Sequence, residues 1–311
     1  MVPLFTARHV SEAVSPAQAV EAVRAAFVSH ARGEWTMPPK VYLPAYPAGD
    51  FRAMPARGGG YALLKWISSF PGNPARGLPT VLGVALLSDA STGELLALLD
   101  AASLTALRTG AAAVLAADTL ARPDAASVSV VGAGVNGRAV ARTFLARGRR
   151  PSLYDLDRGR AEAAAQELGV DVCASLEEAL AADVVATVTP GRQVLYAEGS
   201  LRAGQHVSLM GADGPDKQEI APEELARVRV FCDDFEQAGH AGDLAHALRA
   251  GLLRRELVTE LGAVLAGTAP GREGADEITA FDSTGLAVQD LAVALAAYER
   301  APELDLPQID V

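Results

Sequence analysis

Residues 127–140 read SVSVVGAGVNGRAV, and the rest of the chain is organised around them. Five small or β-branched residues, Ser127 to Val131, predict a buried strand. Val140, Phe144 and Leu145 give the following segment the apolar stripe of a helix. Between the two, Gly132, Gly134 and Gly137 keep G-x-G-x-x-G spacing, with Val135 and Asn136 filling the loop. The first glycine permits a tight strand-to-helix turn and the second lets the backbone approach a pyrophosphate. The third lets helix and strand pack closely, with phosphates over the helix N-terminus. A structural glycine turn is the plainer alternative in so Ala/Gly-rich a chain. A second strand, Ser152 to Tyr154, however ends in Asp155. It lies about 20 residues past the glycines, where a carboxylate takes ribose hydroxyls. Together these features predict a dinucleotide site.

Downstream, strand and helix alternate. A helix over Ala161 to Leu168 precedes a short strand around Val170, and Ser175 with Glu178 forms an S-x-x-E capping box. Further strands are Val184 to Val188, ending at Thr189-Pro190, and His206 to Met210, ending at GADG. Val228 to Cys232 ends at Asp233-Asp234, and Ile278 to Phe281 runs into DSTG and a closing helix, Leu286 to Tyr298. Such alternation predicts a doubly wound parallel sheet. Ligands sit beyond the carboxyl ends of its strands, which points to Thr189, Pro190 and Gly211. Gly267 to Ala275 reads as a mobile loop, and His240 with Asp243 as a surface pair on a helix.

Upstream the pattern differs. Residues 12–33 read as one helix, with Ser15 as cap, Pro16 in the first turn and Val20, Val23 and Phe27 on one face. VYLPA, FRAMPA and YALLKWISSF read as strands separated by Pro and Gly, and Val81 to Leu99 as a hairpin. A long helix over Ala101 to Leu120 carries Arg108-Thr109-Gly110. The first third is therefore α+β with antiparallel strands.

Composition narrows the function classes. A net charge of −11 argues against nucleic acid or an anionic membrane surface as partner. Half of the 311 residues are hydrophobic, enough for a real core and about two domains. Cys173 and Cys232 form no C-x-x-C, which suits a reducing compartment. The first residues, MVPLFTARHV, show no signal-peptide pattern. Apolar runs break well before the about 18 residues a membrane span needs, so a cytoplasmic protein is expected.

Of 27 basic residues only Lys40, Lys65 and Lys217 are lysine. They either mark places where a compact donor of tunable pKa is required or are leftovers of an arginine bias. Lys65 favours the first reading, because in the apolar LLKWI an ammonium is costly without a partner. Asp213, just past a strand end, is either a general base or a turn aspartate before Gly214. Arg52 and Arg108 are either carboxylate clamps or solvated surface charges. No metal-ligand spacing, G-x-S-x-G or Cys/His nucleophile pattern is found.

Read together, MPPKVYL (37–43), FRAMPA (51–56), LKWISSFPGNP (64–74) and GLPTV (77–81) resemble the ornithine cyclodeaminase/mu-crystallin family. LTALRTGAAA (104–113), the glycine loop, GADGPDKQE (211–219) and FDSTGLAVQD (281–290) extend the likeness over nearly the whole chain. Within the family, the archaeal-type NAD-dependent alanine dehydrogenases are most alike. The resemblance implies a homodimer and an inserted Rossmann fold. Residues 1–118, completed by 285–311, would form an α+β substrate and dimerisation domain, and residues 119–284 an NAD-binding Rossmann domain. It implies Lys65 and Asp213 as the catalytic pair and Arg108 on the substrate carboxylate. Thr109 is placed near the cofactor phosphates, and Ser283 and Thr284 near the nicotinamide. Lys40 and Arg52 would add positive field for an α-carboxylate. Cyclodeaminases of the family carry glutamate where this chain has Arg52, which favours a short substrate such as alanine/pyruvate over ornithine. Asp155 favours NAD over NADP, with Arg158 as the residue that leaves NADP open. The alternatives are an ornithine cyclodeaminase, a cyclic imine (ketimine or pyrroline-carboxylate) reductase and a non-catalytic mu-crystallin-like binding protein.

Overall fold

The computed structural model describes residues 1–214 and 216–310. Pro215, inside the GADGPDKQE stretch, and Val311 lie outside the described residues. The chain divides into two compact units, Met1–Arg108 with Leu286–Val311, and Thr109–Gly285. The division falls inside a helix, at Arg108/Thr109.

From the N-terminus run β1 (Val2–Phe5), α1 (Ala7–Ala13), α2 (Pro16–Ala31), β2 (Val41–Ala45), β3 (Gly49–Gly58), β4 (Tyr61–Ser69), β5 (Val81–Asp89), β6 (Leu95–Asp100) and α3 (Ala101–Leu120). There follow β7 (Val128–Val131), α4 (Val135–Ala146), β8 (Ser152–Tyr154), α5 (Arg158–Leu168), β9 (Asp171–Val172), α6 (Leu176–Leu180) and β10 (Val184–Thr187). Next come β11 (His206–Leu209), α7 (Pro222–Leu225), β12 (Arg229–Cys232), α8 (Phe235–Ala241), α9 (Asp243–Arg249), β13 (Val258–Glu260), α10 (Leu261–Leu265) and β14 (Thr279–Asp282). The chain closes with α11 (Ala287–Tyr298) and β15 (Gln308–Ile309).

The single helix expected over residues 12–33 is two. Ser15 is extended (φ −72°, ψ 156°) because the ring of Pro16 disfavours a helical residue before it. Ser15 then caps α2 by accepting from Gln18 N, while Ala19, Val20, Val23, Ala26 and Phe27 are buried. The separate helix α1 and the short strands β1 and β15 had no expectation in the sequence.

In the first unit a seven-stranded sheet runs in the order β15-β1-β6-β5-β4-β3-β2, antiparallel apart from the β1–β6 pair. Alternation along β4 buries Leu63, Lys65 and Ile67 and leaves Leu64 and Trp66 exposed at 38% and 40%. On the inner face α11 packs over β3 and β4 and against α2. Lys65 therefore stands in a cross-strand row with Met54 and Ala85, beneath α11.

In the second unit eight strands run in the order β13-β12-β14-β11-β10-β7-β8-β9, all parallel. β7, β10, β11 and β14 are buried at every position, as expected for a sheet covered on both faces. Strand order reverses at β7, which has β8 on one side and β10 on the other. Such a switch point is where a ligand crevice opens. The segment expected to be a mobile loop, 267–275, is fastened: Arg272 donates to Leu120 O (2.6 Å), Gln205 O (3.1 Å) and Thr279 Oγ1 (2.9 Å).

Candidate active site

In the second unit each loop glycine has a distinct task. Gly132 is left-handed (φ +106°), and a Cβ on Gly137 would lie 1.7 Å from Gly132 O. A Cβ on Gly134 would meet nothing within 4 Å, so the backbone there is open to a ligand. Gly134 caps α4 without a side-chain bond, so the helix presents its first N–H groups with Val135 exposed and Asn136 half-buried beside them. Asp155 Oδ2 accepts from Ala133 N (2.8 Å) and Oδ1 from Asp157 N (2.9 Å). Those bonds hold the glycine loop against the end of β8 and still leave lone pairs for hydroxyls. Arg158 pairs with Glu162 at 2.8 Å on the exposed face of α5. Thr109 Oγ1 is buried with no hydrogen-bond partner. Beside it, Gly110 lets α3 meet α4, since a Cβ there would fall 2.5 Å from Thr143 Oγ1. The open Gly134 backbone and the orphaned Thr109 hydroxyl fit a bound dinucleotide.

The strand ends beyond the crevice are tied by carboxylates. Glu219 Oε1 accepts from Thr189 Oγ1 (2.6 Å) and Thr189 N (3.1 Å), and Oε2 from Thr187 Oγ1 (2.7 Å) and Gly211 N (2.8 Å). Gly211 must be glycine, since a Cβ would lie 2.4 Å from Glu219 Oε1, while Pro190 is exposed. Asp243 Oδ1 in turn accepts from Glu219 N (2.7 Å) and Ile220 N (3.1 Å). The surface pair expected of His240 and Asp243 does not form: Asp243 is buried and His240 bonds Glu236 O. Asp282 Oδ2 accepts from Leu244 N (2.8 Å). Asp233 accepts from Ser283 Oγ (3.0 Å), Thr284 Oγ1 (3.3 Å) and Gly285 N (2.7 Å), so both hydroxyls of the S-T-G are engaged. Burial raises the Glu219 pKa against its four hydrogen bonds. Burial and then Glu219 push Asp243 up to about 8, and burial with Asp243 nearby pushes Asp282 well up. Asp213, half-buried past β11, receives Lys217 Nζ at 2.5 Å.

In the first unit Lys65 is 1% exposed. Its Nζ donates to Asp290 Oδ2 (2.6 Å) and Thr105 Oγ1 (3.2 Å). Arg108 Nε lies 3.7 Å from Asp290 Oδ1 and makes no hydrogen bond. Burial lowers the Lys65 pKa to about 8, with Asp290 opposing and Arg108 and Arg52 reinforcing the shift. Arg52 is itself buried, donates to Asp50 at 2.6 and 3.3 Å and stacks 5.3 Å from the Tyr42 ring centroid. Its charge is thus offset by Asp50, and the field expected from Arg52 is that of an ion pair rather than of a free cation. Lys40 is half-buried, directly before β2. The structure brings Lys65 and Arg108 to one carboxylate, Asp290, which was not singled out in the sequence, and neither were Asp50, Glu219 and Asp233. The available cue for Asp290 was a carboxylate inside the apolar run AVQDLAVALAA.

Among the described residues no helix is long and apolar enough to cross a membrane, and no group of three His, Cys, Asp or Glu side chains is placed to hold a metal ion.

Comparison with known proteins gives the family and the fold. The chain is 41% identical to an alanine dehydrogenase of Archaeoglobus fulgidus over 307 residues, covering 96% of this chain and 94% of that protein. A solved archaeal alanine dehydrogenase dimer with bound NAD superposes with a TM-score of 0.93 at 39% identity, covering 99% of both chains. The Thermococcus litoralis Δ1-pyrroline-2-carboxylate reductase, solved with NADH and L-proline, gives a TM-score of 0.93 at 28% identity over 99% of this chain and 100% of that one. The profile of the ornithine cyclodeaminase/mu-crystallin family matches residues 3–304, and the chain belongs to that family.

Proposed function

We propose that this protein is an NAD-dependent oxidoreductase that interconverts a small L-amino acid, alanine foremost, with its 2-oxo acid and ammonia through an imine. The observation that carries the reading is the cluster of two buried cations, Lys65 and Arg108, around one buried carboxylate, Asp290. A substrate α-carboxylate supplies the missing negative charge, and the unpartnered Arg108 Nε is a donor for it. The archaeal dehydrogenase relatives and the glycine loop support NAD as the cofactor. Asp155 favours NAD over NADP because a carboxylate repels a 2′-phosphate.

When bound, NAD takes up or returns a hydride at the substrate Cα. Arg108 clamps the carboxylate, and Lys65 holds the carboxylate or carbonyl oxygen and favours charge build-up there. Asp213, as general base, takes a proton from a water whose oxygen bonds to the imine carbon while the C=N electrons move to nitrogen. Asp213 returns that proton to the nitrogen, and the adduct collapses as its O–H proton passes to the amine, the C–N bond breaks and C=O forms, releasing ammonia and leaving the 2-oxo acid. Lys40 and the Arg52–Asp50 pair contribute to the field around the carboxylate. Val135, Asn136, Thr189, Pro190, Gly211, Ser283 and Thr284 line the cofactor, with Thr109 at its phosphates.

The first unit then serves substrate binding and dimerisation, and the second serves the cofactor. The outer sheet face of the first unit is apolar and exposed at Val41, Leu43, Leu64, Trp66 and Leu82, with a groove between Pro38, Pro55 and Leu86. An exposed patch of this kind suits a second copy of the chain, and a homodimer is expected in solution. Two buried free thiols suit the cytoplasm.

Likeness to the pyrroline-carboxylate reductase favours cyclic imine reduction as a second reading. The test is NADH oxidation with a panel of 2-oxo acids and ammonia, beside Δ1-pyrroline-2-carboxylate without ammonia and ornithine with NAD. Ammonia-dependent turnover with pyruvate fastest is expected. Faster turnover of the cyclic imine, or proline from ornithine, would replace the reading.

A further inference from the structure

The acid that holds Lys65 stands 225 positions away in sequence, on the first turn of α11, and the proposed reaction leaves it without a task. Asp290 is fully buried, and the helix N-terminus favours its charge. Its two oxygens are divided: Oδ2 receives Lys65 Nζ at 2.6 Å, and Oδ1 faces Arg108 Nε at 3.7 Å without a hydrogen bond. Lys65 is equally buried, in a row between Met54 and Ala85 that offers no other charge. Thr105 on α3 receives a second of its three N–H donors, which leaves one to offer.

We propose that Asp290 is a positioning residue for the reaction. As the fixed counter-charge of the cluster, it keeps Lys65 an ammonium and aims it beside Arg108, so that both cations meet one substrate carboxylate. The inference rests on Lys65 acting on substrate, as above.

The charges facing Lys65 decide the matter. From β3 comes Arg52, offset by Asp50; from α3, Arg108; from α11, Asp290. With Asp290 the cluster of Lys65, Arg108 and Asp290 carries one net positive charge, which a carboxylate substrate neutralises. Without it, two cations would stand together in an apolar interior, and Lys65, the only one able to lose its proton there, would become a neutral amine. A neutral amine neither attracts the carboxylate nor supports charge on oxygen. Burial already brings the Lys65 pKa down to about 8, with Asp290 the largest opposing influence, so the residue is poised where losing that carboxylate changes its state at neutral pH.

The scarcity of lysine makes the test direct. Protein labelled with 13C,15N-lysine carries only three lysines, so the titration of Lys65 at Cε and Nζ is read against two others, with Lys65→Met giving the assignment. In wild type, Lys65 is expected to titrate at about 8. Asp290→Asn is expected to lower that midpoint by about one unit or more and to move the alkaline limb of kcat by the same amount. Asp290→Glu is expected to restore the midpoint. An unchanged midpoint in Asp290→Asn overturns the proposal. So does a wild-type Lys65 already neutral at about pH 6.5, a result that needs no variant to fold. Titration as described, in protein that turns over no 2-oxo acid or cyclic imine, would instead sink the assigned reaction and leave the hold of Asp290 on Lys65 standing.

Discussion

The two units bury charge in opposite ways. The first buries Lys65, Arg108 and Arg52 with Asp290 and Asp50, more cation than anion. The second buries Glu219, Asp243, Asp282, Asp233 and Glu224, whose partners are N–H and O–H donors, one another and, for Glu224, also the exposed Arg227. An acid can be reconciled with burial by several donors or by taking up a proton; the second unit supplies the donors, and burial raises the Asp243 and Asp282 pKa values. Two cations around one carboxylate are reconciled only by a further anion or by losing a proton. The acids of the second unit therefore read as braces of strand ends, and the cations of the first as a half-built ion cluster that substrate completes.

The largest effect is expected where the acids leave the bracing role. Asp213 lies past its strand end and half-exposed, and Asp213→Asn is expected to lower kcat by about 10²–10⁴-fold. NADH binding, followed by fluorescence, should stay near wild type; near-normal turnover would remove Asp213 from the chemistry.

Next comes a true brace. Glu219→Ala strands Thr189 N and Gly211 N without an acceptor, which costs about 2–5 kcal/mol. The expected signs are a lower melting temperature for the second unit and weaker NADH binding. A melting curve like wild type would show that these loops stand by themselves.

Arg108→Gln tests the half-built cluster. A rise in KM for the 2-oxo acid of roughly 10- to 100-fold is expected, with NADH affinity little changed. If kcat and NADH affinity fell instead while KM held, Arg108 would be a structural residue.

The smallest effect is a pH slope. The Asp243 carboxyl, about 8 in the fold against 3.8 as its ordinary value, binds its proton more tightly folded than unfolded. Its stabilising share is complete below about pH 4 and is lost as pH rises through about 8. Asp243→Asn keeps an acceptor for Glu219 N and Ile220 N but has no proton to lose. Relative to wild type it should gain a few degrees of melting temperature between pH 5 and 8. Lys65 does not confuse that window, because its own lowered pKa acts between about 8 and 10.5. Equal slopes in the two proteins would mean that Asp243 carries no extra proton.

Much of this arrangement is legible in the sequence because its signals are local. Strand–glycine–helix order, Pro16 after Ser15, and alternation along LLKWI each act within a few residues, and β4, α3 and β8 match their expected spans. Lys65 stood out because an ammonium in an apolar strand must find a partner. The partner did not, because Asp290 is 225 positions away and only tertiary packing joins them. The same holds for β1 and β15, short strands far apart in sequence that pair with each other. Asp243 was misread for a related reason: the helix face it occupies is set by Glu219 and Ile220, not by its own neighbours. Arg52 was seen as a cation, and its offset by Asp50 two residues away was missed although it was local.

If a substrate carboxylate completes the buried cations of the first unit, a substrate without that charge must be a poor one. The test is the NADH-dependent kcat/KM, with ammonia, for the best 2-oxo acid and for its methyl ester, which lacks that charge and adds one methyl group. The ester is expected to be poorer by about 100-fold or more, and Arg108→Gln is expected to remove most of the difference. Equal kcat/KM for acid and ester in the wild type would contradict that role of the carboxylate.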